Sequence, residues 1–142
     1  MRFMVMVKAN EESEANTPPS SDDLDAMSRY NDELVKAGVL LDANGLTSSA
    51  DGALVSFTDG VPRVIDGPFA EAKELVAGYW VLEVKSREEV VEWVKRVPFE
   101  GDEEVDIEIR QVYEADDFGS GFTESLRDRH GAMADKIAEQ RG

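Results

Sequence analysis

Residues 63–79, RVIDGPFAEAKELVAGY, crowd together the side chains of this sequence best suited to chemistry. Asp66 stands at a turn beside an expected strand, and a carboxylate partly withdrawn from water there would serve as a general base. The competing reading is an aspartate that only organises its own turn by accepting backbone hydrogen bonds. Lys73, flanked by Glu71 and Glu74, would bind an anionic ligand group or form a solvated turn of helix. Arg63, Phe69, Tyr79 and Trp80 would line a pocket near Asp66. Against that, aromatic residues in strands more often belong to a core or a subunit interface.

Outside this stretch the chemical vocabulary is thin. His130, the one histidine, falls on a sparse apolar stripe and reads as a packed residue before it reads as a base or ligand. There is no His-x-x-x-His pair and no cysteine, so neither a metal nor another cofactor is expected. The acidic run 100–108 lacks the spacing and central glycine of a calcium loop. Phosphate-binding glycine loops, nucleophile elbows and dinucleotide fingerprints are likewise missing from the sequence.

The elements that hold these groups follow from periodicity. In RFMVMVK, residues 2–8, Phe3, Val5 and Val7 alternate with Met4 and Met6, as in a strand covered on both faces. Residues 10–21 read as a polar loop. Ser20 or Ser21 then caps a helix whose first turn carries Asp22, Asp23 and Asp25, with Leu24, Met27, Leu34 and Val35 as its stripe and Gly38 as its stop. Val39–Leu41 is a short strand and Asn44-Gly45 a turn. Residues 53–58 and 61–65 form a hairpin about Asp59-Gly60, with Pro62 marking an edge or bulge.

Gly67 in the Asp-Gly-Pro-Phe corner is expected to supply a positive φ. Residues 78–85 form a strand apolar on both faces. Ser86 and Glu89 make a capping box for a helix that Pro98 stops. The last strand alternates Val105, Ile107 and Ile109 with Asp106, Glu108 and Arg110. The order β-α-β-β-α-β with an inserted hairpin predicts an α+β, ferredoxin-like domain over residues 1–113, an antiparallel sheet with helices on one face. Residues 114–142 read as an acidic linker and a helical tail.

Two global properties constrain partners. Fifteen basic against 31 acidic residues give a net charge of −16, which repels phosphate backbones and anionic lipid. Neither nucleic acid nor membrane is an expected partner, and no apolar run approaches the ~20 residues of a membrane span. The N-terminal MRFMVMVKAN lacks the features of a signal peptide, so a cytoplasmic protein is expected. Two strands apolar on both faces, with helices enough for one, call for a second copy over the open face. A homodimer is the leading expectation.

The run DGPFAEAKELVAGYWVLEV, the helix EEVVEWVKRVP, the opening MRFMVMVKA and the closing DIEIRQV resemble the YCII-related family, in the branch named for its DGPF motif. The resemblance spans about residues 1–113. It implies a dimeric α+β barrel of ferredoxin-like subunits and no established reaction. It also implies an association, in some bacteria, with extracytoplasmic-function sigma factors. A shorter branch carries a His and Asp pair proposed as catalytic, and this chain has no histidine in residues 1–113. The leading functional expectation is a small-molecule-binding homodimer with proton-transfer chemistry of an isomerase or lyase type. The alternative is a non-catalytic accessory or regulatory protein that binds a macromolecular partner.

Overall fold

The computed structural model describes residues 1–69, 71–99, 101 and 103–142. They form two units, Met1–Gln111 and Val112–Gly142. In the first unit, β1 (Arg2–Lys8), β2 (Leu40–Gly45), β5 (Val76–Glu83) and β6 (Ile107–Gln111) build a four-stranded sheet in the order β2-β5-β1-β6. Every pairing is antiparallel. A hairpin of β3 (Ala53–Thr58) and β4 (Val61–Asp66) forms a separate two-stranded sheet. Helices α2 (Ser21–Lys36) and α3 (Arg87–Val94) complete an α+β domain compatible with a ferredoxin-like fold.

Sequence dictates the helix ends closely. Ser20 accepts a hydrogen bond from the Asp23 amide at the α2 N-terminus, where Asp22 and Asp23 face the positive end of the dipole. At the other end Gly38 adopts φ +73°, and Val39 N–H reaches back to the Leu34 carbonyl, a Schellman closure. Ser86 accepts from the Glu89 amide to start α3, while the Glu89 carboxylate accepts from the Lys85 amide.

Both helices pack on one face of the sheet. Phe3, Val5, Trp80 and Leu82 project from it and meet Tyr30 and Leu34 of α2 and Val90 of α3. Leu34, Leu82, Val5 and Val90 are fully buried, and burial of each such side chain is worth roughly 1.5–3 kcal/mol. Tyr30 meets Trp80 edge to face at 5.8 Å and donates to the Trp93 carbonyl at 2.8 Å, which ties α2 to the end of α3.

Three expectations are corrected. Residues 10–21 are not all loop: α1 (Glu11–Glu14) forms because Asn10 and Ser13 cap each other, side chain to backbone in both directions. Asn44 and Gly45 do not make a turn but continue β2 against Tyr79 and Gly78, since neighbouring β5 supplies the ladder that a lone dipeptide lacks. Val105 lies outside the last strand, which begins at Ile107.

The second unit contains a short 3₁₀ segment, Ala115–Gly121, and helix α4 (Glu124–Arg141), started by Thr123 accepting from the Leu126 amide. Tyr113, Phe118, Phe122 and His130 form a chain of ring contacts. Leu126, Met133 and Ile137 are exposed along α4. Among the described residues no helix is long and apolar enough to cross a membrane.

Candidate functional site

The covered face of the sheet is not filled along its whole length. At one line of the register Val7 pairs with Gly78, and Gly78 with Gly45. Side chains of paired strand residues share a face, so two glycines leave the space beside Val7 without a side-chain layer. Helix α2 crosses that space with Met27 and Asn31. The result is a cavity of about 280 Å³ walled by Val7, Met27, Asn31, Ala43 and Trp80. That lies just below the ~300–1,000 Å³ usual for small-molecule sites, so a ligand there would be compact.

Asn31 is the polar side chain that α2 brings to this wall. Trp80 Nε1–H donates to Asn31 Oδ1 at 2.8 Å. Since an indole only donates, the bond fixes the amide with its oxygen toward Trp80 and its NH₂ left to donate elsewhere. A Cβ added at Gly45 would meet nothing within 4 Å, whereas one at Gly78 would lie 3.1 Å from the Asn44 carbonyl oxygen. Gly78 is therefore set by close backbone approach, and Gly45 by nothing except the space it leaves.

On the opposite face, Tyr79 and Asn44 alternate with the cavity wall. The Tyr79 hydroxyl donates to Asp42 at 3.1 Å, and the Asn44 amide donates to Tyr79 and to Asp42. Beside this trio stand half-buried Met4, Met6 and Val81. Glu108 accepts from Arg110 at 3.2 Å and lies 3.6 Å from Lys8. The Arg110 hydrogen bond first, and the Lys8 charge second, hold its carboxyl below the usual glutamate range.

The Asp-Gly-Pro-Phe corner has a different role from the one expected. Gly67 does not adopt a positive φ. Its missing side chain is needed because a Cβ there would fall 1.6 Å from the Ser49 carbonyl oxygen. The Ser48–Ser49 segment it packs against is also held by Glu14 of α1 and by Asn16 just after it. Glu14 accepts from the Ser49 amide and hydroxyl at 3.0 and 2.6 Å, and Asn16 accepts from the Ser48 amide. The corner thus locks the hairpin base to the first loop.

The sequence-predicted site residues do not converge. Asp66 and Arg63 lie on exposed β4, paired with Ala53 and Ser56. Phe69 is half-buried at the corner. Glu71 borders an open, mostly acidic depression with Lys8, Glu11 and Glu103. The Lys73 side chain lies outside the described residues. Of the described ones, Tyr79 and Trp80 alone border the cavity, both from β5. Asn31 and Gly45 were not legible as site residues; the available signal was a glycine in each of two neighbouring strands, Gly45 and Gly78. Among the described residues no group of three or more His, Asp or Glu is placed to hold a metal.

No curated protein was found to match this chain. A family model, that of the YCII-related domain, matches residues 1–116, which include the sheet, both of its helices, the cavity and the corner. The chain belongs to the YCII-related domain family.

Proposed function

We propose that this protein is a small-molecule-binding homodimer of the DGPF branch of the family, with its ligand held between α2 and the β2–β5 edge of the sheet. The observation that carries the reading is the cavity that the Gly45–Gly78 pair leaves beside Val7, with the Asn31 amide set into its wall. The branch assignment rests on the Asp66-Gly67-Pro68-Phe69 sequence itself.

Among the described residues the cavity wall holds no Asp, Glu, His or Lys, and the chemistry read from it is recognition. Proton transfer of the isomerase or lyase kind would draw on a carboxylate brought from elsewhere, and Asp66 is the candidate at the hairpin base. The homodimer draws support from charge. Among the described residues the open face carries Arg2, Lys8 and Arg110 against Asp42, Glu83 and Glu108, a balanced set in a chain of net charge −16. Around apolar Met4, Met6 and Val81, that is a surface on which two copies approach with little net repulsion.

A thermal-shift search of a metabolite panel tests the binding. A ligand raises the melting temperature of the wild type by linkage, and Gly45→Val abolishes that rise while melting unliganded as the wild type does. Hits that stabilise both proteins equally would place binding elsewhere and remove the cavity from the reading.

A further inference from the structure

The cavity also has a chemical preference, an inference that rests on the binding reading above. We propose that it selects an uncharged, compact molecule with an apolar body and one hydrogen-bond acceptor, such as a ketone or ester carbonyl, against an anion of the same shape. Among the described residues its wall contains no Lys, Arg or His to pair with a carboxylate or phosphate, and no Asp or Glu to pair with an ammonium. A bare charge moved into such a site loses hydration and gains no counter-charge, which is costly. Val7, Met27 and the Trp80 ring supply apolar contact. Among the described residues of this wall the Asn31 NH₂ is the side-chain group with a donor to give: its oxygen is taken by Trp80, while the Asn44 amide and the Tyr79 hydroxyl already donate on the other face. An acceptor on the ligand satisfies that donor once water is excluded; a hydrocarbon leaves it unpaired. The acidic net charge works in the same direction by lowering the local concentration of anions.

Three probes of similar shape separate these terms: acetophenone, benzoate and ethylbenzene. Each is titrated at neutral pH against the intact protein and followed by NMR at the Trp80 indole N–H and the Asn31 side-chain amide. Acetophenone is expected to bind most tightly and benzoate about tenfold more weakly or worse. Asn31→Asp keeps an oxygen for Trp80 but replaces the donor by an acceptor; it should erase the advantage of acetophenone over ethylbenzene. Gly45→Val should silence all three. Benzoate binding as tightly as acetophenone would overturn the charge preference alone, and equal binding of acetophenone and ethylbenzene to the wild type would overturn the role of the acceptor. No response from any probe, or responses unchanged by Gly45→Val, would overturn the binding reading together with this inference.

Discussion

Gly67 and Gly45 show how far a residue type can be read before its neighbours are known. Each is visible in the sequence as a punctuating glycine, and each invites a reading in terms of backbone freedom. Gly67 instead answers to the Ser49 carbonyl, a contact eighteen positions away that no local pattern encodes. Gly67→Ala should therefore destabilise the first unit by several kcal/mol, because the obstacle is backbone that has to shift; an unchanged thermal melt would refute the close approach. Tyr30 gives a second test. Burial pushes its phenol up to about 12, with Glu33 adding to the effect and Arg96 opposing it. A raised folded value means the neutral form belongs to the fold. Its contribution is complete below pH ~10, where the unfolded phenol titrates, and is lost as pH rises toward 12. Tyr30→Phe should flatten the fall of stability across that window, as read by chemical denaturation. An identical slope in wild type and variant would mean the phenol is not withdrawn from water.

At the level of elements, the strongly periodic segments were the legible ones. The doubly apolar β1, the capped α2 and the Ser86–Glu89 start of α3 follow from spacing and cap chemistry that act within a few residues. What escaped was structure made by distant pairing. β2 extends through Asn44-Gly45 because β5 lies beside it, and α1, though started by the local Asn10–Ser13 cap, is anchored by the Glu14 bonds to Ser49, thirty-five positions on. The site was less legible than the fold for the same reason. A cavity is an absence produced by the register of three strands and one helix, so Asn31 has no sequence signature as a lining residue. Asp66 and Arg63, conspicuous in the sequence, lie on a separate hairpin. The open face of the sheet yields its own prediction. Met6→Glu sets a charge at the centre of that face, where a second copy would have to desolvate it. It should weaken dimerisation at least about tenfold while leaving the circular dichroism of the subunit unchanged. A variant that self-associates as the wild type does would move the interface elsewhere.

For the whole molecule, net charge sets the terms of assembly. Pairing two chains of −16 would bring strongly like-charged bodies together, and the proposed interface is a locally balanced apolar face that would lessen that repulsion. The repulsion is long-range and is screened over about 8 Å at physiological ionic strength, so association should strengthen as salt rises from a few millimolar. The central physical claim is that the sheet uses its two faces differently, one around a ligand cavity and the other against a twin. Sedimentation velocity of the wild type at micromolar concentration in physiological salt addresses that claim most directly. The expected species has about twice the 15.7 kDa mass of one chain. A single subunit that stays single as concentration rises, with Met4 and Met6 open to solvent oxidants, would contradict it.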